Sequence, residues 1–218
     1  MSRIAARVVV FSLAAAAPTV QAQGVVFEPA QYRGGTVPIL PTTAVGGGEV
    51  VLDAAVDARG NVSSVTKLRV SPPFTEMFAG AVRGWSFRPA RDMGMPAPSH
   101  VLVAVLVRPP ALTIPSTHGE PPQDVAAPRA ELPDLVALVT PAYPPLAHRS
   151  GVVLVEVRID ATGRVTAVRV AQSAPPFDSA ASDAAWQCTF RPAMLRGTRV
   201  VSLAYIAFGF PEIVTNPH

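Results

Sequence analysis

The side chains that could bind a transition metal or act as a nucleophile are few and scattered in this chain. The four histidines, His100, His118, His148 and His218, have no second histidine or cysteine at metal-ligand spacing. The single cysteine, Cys188, has no histidine near it in sequence. We predict that Cys188 is a buried packing thiol, with a disulfide to another chain as the alternative. The sequence therefore predicts no metal site and no cofactor.

Two Asp-Ala-x-Gly segments raise the question of calcium. Asp57 is followed by Gly60, and Asp160 by Gly163, but neither segment has the further acidic ligands of a calcium loop. An aspartate that accepts main-chain hydrogen bonds and a glycine that adopts positive φ instead predict hairpin turns. The run 46–48 of glycines precedes a strand, not a helix, and no serine nucleophile motif is present. We therefore predict that the protein is not an enzyme and has no small-molecule substrate.

The tetrapeptide Phe-Arg-Pro-Ala occurs twice, at residues 87–90 and, 103 residues later, at 190–193. At that offset, 21 of 70 residues are identical between 38–107 and 141–210, and the identities gather at turns. The chain is therefore predicted to contain one structural unit twice.

The repeated arginines, Arg88 and Arg191, have two interpretations. Each contacts a partner's carboxylate, or each bonds helix-end carbonyls or a neighbouring acid beside the turn. Pro89 and Pro192 follow a predicted helix and are typical of a helix stop. We therefore interpret the tetrapeptide as a structural hinge between a helix and the last strand.

The elements that position these residues follow from the apolar pattern. In the second unit, residues 151–160 and 164–173 alternate polar and β-branched residues and predict an antiparallel hairpin. Residues 177–187 predict an alanine-rich helix, and residues 200–210 predict a third strand. Trp186 either fills the space beside Cys188 or is exposed.

The first unit repeats this order. Residues 49–56 and 61–70 predict the hairpin, 75–84 the helix, and 100–107 a last strand that is apolar without alternation. The predicted fold class is α+β, with two tandem small units. Each unit is a three-stranded antiparallel sheet with one or two helices on one face.

Residues 108–140 are predicted to link the two units. The part from 108 to 133 holds seven prolines, which lack an amide donor and cannot join a sheet interior. The segment is either a plain extended spacer or a proline motif that docks a partner.

Residues 1–22 have the pattern of a signal peptide. Arg3 and Arg7 precede an apolar run at 8–17, and 20–22 fits the small-residue rule for cleavage. Loss of both arginines lowers the formal net charge from +3 to +1, which gives no electrostatic support for a nucleic-acid partner. We predict export to the periplasm, with an uncleaved inner-membrane anchor as the alternative.

Residues 141–211 resemble the TonB C-terminal domain family. The resemblance rests on the opening Pro-Ala-Tyr-Pro at 141–144, the strand and glycine turn at 151–163, and the alanine-rich helix that leads into Phe-Arg-Pro-Ala. Residues 38–107 look like a diverged copy that keeps a tryptophan at Trp85. That copy has Leu40 where the second unit has Tyr143.

The resemblance implies a periplasmic domain that binds a short segment of an outer-membrane TonB-dependent transporter, or of another periplasmic protein, by adding it as a strand. Such binding needs only an unpaired sheet edge. We expect that edge on the last strands, at 200–210 and 101–107. The predicted partner-binding residues are Val200, Val201, Ser202, Leu203, Ala204, Tyr205, Ile206, Tyr143 and Arg191.

Three alternatives stay open at this point. The chain is an energy transducer that is held in the inner membrane by an uncleaved N-terminus. Alternatively, it is a structural periplasmic protein in which the two units pair edge to edge and cover each other's binding strands. A homodimer is also left open.

Overall fold

The computed structural model describes residues 27–41, 47–109, 121–145, 147 and 149–212. The predicted signal peptide, and the histidines at 118, 148 and 218, lie outside the described residues. The elements in chain order are β1 (Phe27–Glu28), β2 (Gln31–Gly34), β3 (Gly48–Val56), β4 (Val62–Val70), α1 (Phe74–Arg83), β5 (Ser86–Arg88), β6 (Ala90–Asp92), β7 (Met95–Ala97), β8 (Ser99–Val107), β9 (Gln123–Asp124), β10 (Asp134–Ala137), β11 (Gly151–Ile159), β12 (Val165–Gln172), α2 (Asp178–Gln187), β13 (Thr189–Arg191), β14 (Ala193–Leu195), β15 (Thr198–Val200) and β16 (Ser202–Phe210).

Seven strands form one continuous sheet in the order β12-β11-β16-β8-β3-β4-β9. The hairpins β3–β4 and β11–β12 are antiparallel, and each third strand pairs antiparallel with the first strand of its own half. The two third strands, β8 and β16, pair with each other in parallel, from Leu102 opposite Ala204 to Val107 opposite Gly209. The α+β class is confirmed, but the strands of the two halves belong to one sheet, not two.

The two helices lie on opposite faces of this sheet. Alternate residues of a strand point to opposite faces. Val103 and Val105 of β8 belong to the core that contains the α1 side chains, whereas Leu102 and Ala104 belong to the core that contains α2. The parallel pairing of β8 with β16, which we call the seam, has the two helices on opposite faces of the sheet. A pseudo-two-fold axis parallel to the strands produces this arrangement.

The two cores differ in whether the helix or the strand supplies the large side chains. In the first half, the large side chains are on the helix, and Phe78 of α1 belongs to the same core as Val105 of β8. In the second half, α2 presents Ala181, and the ring of Phe208 on β16 supplies the bulk. Because total core volume matters more than which element supplies it, an alanine-rich helix packs well here.

Short strands outside the main sheet cover its remaining faces. Strand β2 pairs with β5, and β10 pairs with β13. Both β9 and β10 fall within the predicted linker at 108–140, so this segment is not a plain spacer over its described part. The prolines still keep it out of the sheet interior, since β9 is at the outer edge. Within the described ranges, neither helix is long and apolar enough to cross a membrane.

Candidate partner-binding site

The strand that was expected to offer a free edge is at the centre of the sheet. Strand β16 pairs along one side with β11 and along the other with β8. The prediction that residues 200–210 and 101–107 present open edges is therefore wrong for this structure. The physical reason is the seam itself, because each last strand satisfies the other's outward main-chain groups. Val200 ends the short hairpin partner β15, Val201 lies between strands, and the remaining predicted residues, Ser202, Leu203, Ala204, Tyr205 and Ile206, are buried on β16.

The hydroxyl of Tyr205 both donates and accepts a hydrogen bond within the chain. Its hydroxyl donates to Glu156 Oε2 at 2.8 Å and accepts the Tyr32 main-chain N–H at 2.7 Å. Arg169 donates to both oxygens of the same carboxylate, at 3.2 and 2.8 Å. The ring packs edge-on against Phe87, with centroids 5.7 Å apart. Burial and the nearby Glu156 carboxylate raise the pKa of Tyr205.

Tyr143 also packs within the chain, at the opposite end of β16 from the predicted binding residues. Its ring lies 5.6 Å from that of Phe177 and 6.1 Å from that of Phe210, and its hydroxyl donates to the Arg149 carbonyl at 3.2 Å. The Arg108 guanidinium lies over the ring at 5.4 Å. Burial raises the pKa of Tyr143. The structure does not bring this side chain to one surface with Val200–Val201, and its role in binding stays a prediction.

Arg191 pairs with an acid of its own chain. Its Nε donates to Asp134 Oδ2 at 2.8 Å, across the β10–β13 pair. The side chain is 74% exposed, so the ion pair is a surface one. The structure thus shows an acid of the same chain as the contact of this arginine, and a role in binding a partner stays a prediction.

The Phe-Arg-Pro-Ala segments pack on the hairpin turns, which are confirmed as turns. Gly163 has φ +90°, and a Cβ there would overlap the Phe190 carbonyl oxygen. Asp160 Oδ1 accepts the main-chain N–H of Thr162 at 2.8 Å and of Arg164 at 3.0 Å. The Thr162 hydroxyl, followed by these N–H groups, lowers the pKa of Asp160. The tetrapeptide therefore packs the hairpin turn against the chain segment that leads into β14 and β15.

One carboxylate outside the turns is buried and paired. Asp53 is 2% exposed; its Oδ1 lies 2.7 Å from His100 Nδ1 and its Oδ2 accepts Arg129 Nε at 3.1 Å. These contacts offset the cost of burying the charge. The described part of the chain shows no hydroxyl or thiol hydrogen-bonded to the His100 ring, and no group of three side chains that could hold a metal ion. Cys188 is buried and forms no disulfide within the described residues, and burial raises the pKa of its thiol.

The outer edge of β12 is open over its length. Strand β12 pairs with β11 on one side, and no described strand pairs with its other side. At the opposite end of the sheet, β9 pairs with the last two residues of β4, Arg69 and Val70. There the N–H groups of Val125 and Ala126 donate to the Leu68 carbonyl at 2.8 and 3.3 Å. Asp124 Oδ1 also accepts Arg69 Nε at 2.6 Å, and this pairing raises the pKa of Arg69 and lowers that of Asp124.

Sequence reasoning missed this edge because it assigned the free edge to the last strand. The one signal in the sequence was the lack of alternation at 101–107, which is typical of a strand buried on both faces. The sequence does not decide between burial and exposure for Trp186, and the structure places this side chain half exposed, beside the start of β12.

Comparison with known proteins identifies the second half. Residues 139–210 match the family model described as Gram-negative bacterial TonB protein C-terminal. A comparison with curated proteins finds no significant match. Domains of this family are periplasmic, non-catalytic and associated with TonB-dependent transport at the outer membrane. The match to the TonB C-terminal family thus covers residues 139–210, which are 72 of the 218 residues of the chain.

Proposed function

We propose that this protein is a periplasmic protein-binding module of TonB-dependent outer-membrane transport that receives an extended partner segment at the outer edge of β12. The observation that carries the proposal is the sheet order. Strand β16 is paired on both sides, whereas β12 is paired on one. An unpaired edge offers a row of main-chain donors and acceptors, which is what strand addition requires.

The first half supports this assignment by its geometry. Its strands and helix follow the order of the second half, and Gly48–Val56 and Gly151–Ile159 are 103 residues apart at both ends. We propose that residues 38–107 are a diverged copy of the same domain. The last strand of this copy occupies the edge of β16, so the copy acts as a permanent internal partner.

A second candidate is a purely structural role, in which pairing of the two halves is the whole function. The parallel seam between β8 and β16 favours it, because in that seam the outer edges of the two last strands are paired with each other. The two candidates differ in one respect: only the binding module uses the β12 edge.

The cellular location of the protein is tested separately. N-terminal sequencing that finds Gln23 as the first residue supports export with cleavage, and a retained Met1 supports an anchored transducer.

The experiment places a photo-crosslinking amino acid at Ala167 on β12. The matched control is Ser64, which is 103 residues earlier on β4 and is also exposed. The exported protein is irradiated in cells and its adducts are identified by mass spectrometry. Adducts with an outer-membrane TonB-dependent transporter at Ala167, and few at Ser64, support the proposal. A folded protein that forms no transporter adduct from Ala167 contradicts it and leaves the structural role.

A further inference from the structure

We propose that the segment received by β12 alternates acidic and apolar residues, with one apolar or aromatic side chain packed on Trp186. This inference rests on the proposed function and adds the chemistry of the partner. It follows from the side chains on the two sides of the β12 edge, which differ in kind.

On the α2 side of the edge, Trp186 offers an apolar surface. It is 49% exposed, near the end of α2, and it lines an open groove of about 560 Å³ together with Arg164 and Val165 at the start of β12. The corresponding residue of the first half is Arg83. Tryptophan and arginine are enriched among the residues that carry binding energy at protein interfaces. A large aromatic ring left half exposed beside an open strand edge is therefore a binding surface for an apolar side chain.

On the other side of the edge, the side chains are mainly cationic. Arg158 and Arg169 line a small pocket of about 150 Å³ beside Ala167. Arg169 is bonded to Glu156, but the Arg158 guanidinium has no ion-pair partner among the described residues. Where the second half has these two arginines, the first half has Ala55 and Thr66. The first half therefore has no arginine at either of these two equivalent positions.

A strand added at the β12 edge would contact both the Trp186 side and the arginine side of that edge. Successive side chains of a strand point to opposite faces, so one set would face Trp186 and the other would face the arginines. Opposite charges across an interface favour association and set its specificity. The protein already contains such a pairing of opposite charges, since Asp124 of β9 accepts a hydrogen bond from Arg69 at the outer edge of β4. An acidic and apolar alternation is the pattern that satisfies both sides.

The test uses an N-acetylated hexapeptide in which glutamate alternates with valine, with phenylalanine replacing the central valine. A second hexapeptide replaces each glutamate by glutamine. Each is titrated into the exported chain, and the amide signals of Val165–Gln172 are followed by NMR. We expect the glutamate peptide to shift these signals and to bind about tenfold more tightly than the glutamine peptide at low salt.

Two variants test the aromatic contact. Trp186→Ala is expected to weaken binding of the glutamate peptide about tenfold, as loss of one central aromatic contact typically does. Arg83→Ala changes the corresponding exposed position of α1 and is expected to leave binding unchanged. Circular dichroism checks that both variants are folded.

Equal affinity for the two peptides, together with no effect of Trp186→Ala, would overturn the inference while leaving strand addition in place. Absence of any shift in β12 would overturn it as well, and so would shifts confined to β4. The crosslinking result at Ala167 decides the proposed function separately, because it does not depend on the composition of the segment.

Discussion

Replacing Tyr205 by phenylalanine tests whether this residue is part of the core or part of a binding edge. Phenylalanine keeps the ring and leaves no cavity, so the substitution removes one hydroxyl and nothing else. The lost oxygen leaves the Tyr32 N–H without its acceptor and Glu156 without one of its donors.

The size of the effect follows from those two contacts. A buried polar group that loses its partner costs about 1–3 kcal/mol. Glu156 keeps its bidentate contact with Arg169, and the Tyr32 amide is only partly buried, which places both losses at the low end of that range. We therefore expect Tyr205→Phe to lower the free energy of unfolding by about 2 kcal/mol.

The assay is urea denaturation at pH 7, followed by far-UV circular dichroism. The midpoint should fall with an unchanged slope, since the surface exposed on unfolding is the same. The control is Tyr143→Phe, whose hydroxyl makes a 3.2 Å bond at the surface and whose loss should cost under about 1 kcal/mol. A Tyr205→Phe protein within about 0.5 kcal/mol of the wild type would refute the reasoning.

The same pair of proteins gives a pH dependence. Because burial raises the pKa of Tyr205, the folded state keeps the phenolic proton at a pH where the unfolded chain releases it. Stability from this group is therefore complete below about pH 10 and is lost as pH rises further, by up to about 1.4 kcal/mol per pH unit. The difference in stability between wild type and Tyr205→Phe should narrow between about pH 10 and 12. A constant difference over that range would contradict the account.

The other predictions concern the turns and the surface. Gly163→Ala puts a methyl group against a main-chain carbonyl oxygen and should lower the free energy of unfolding by about 3 kcal/mol or more. Gly197→Ala, at φ +77° with open space around it, should lower it by about 1 kcal/mol. Urea midpoints compare the two variants, and equal losses would contradict the packing of the turn. Asp160→Ala should lower the urea midpoint at pH 7. This difference should shrink as the pH falls below about 4, because the lowered pKa of Asp160 means that its stabilisation is lost as pH falls through that pKa; a difference as large at pH 2 as at pH 7 would argue against it. Arg191→Gln removes an exposed ion pair with Asp134 and should change stability by less than about 1 kcal/mol; a larger loss would show that the pair is more than a surface contact.

The local elements of this fold could be predicted because their signals are local. The aspartate and glycine at Asp160 and Gly163 predict a hairpin turn, and the structure forms it through the hydrogen bonds expected of that pair. The alanine-rich helix was predicted at 177–187 and is found at Asp178–Gln187. In each case, the residues that fix the structure lie within a few positions of one another.

The sheet order could not be predicted in the same way. The seam joins residues about 100 positions apart in parallel, and no turn or spacing in the sequence specifies such a pairing. The apolar run at 101–107 indicated burial on both faces, but not which strand would cover its edge. The covering strands β2 and β10 are only four residues long, too short to give a clear pattern, and their pairing depends on contacts such as Asp134 with Arg191 across 57 residues.

The central claim is that the edge available to a partner is β12 and not β16, and residue-resolved amide hydrogen exchange tests it most directly. In the free protein, every amide of residues 204–209 should exchange slowly, because this part of β16 is paired with a strand on both sides. Along Val165–Gln172, the amides that point away from β11 should exchange fast and those that point toward it should exchange slowly. An alternating fast and slow pattern on β16, with uniform protection of β12, would contradict the account.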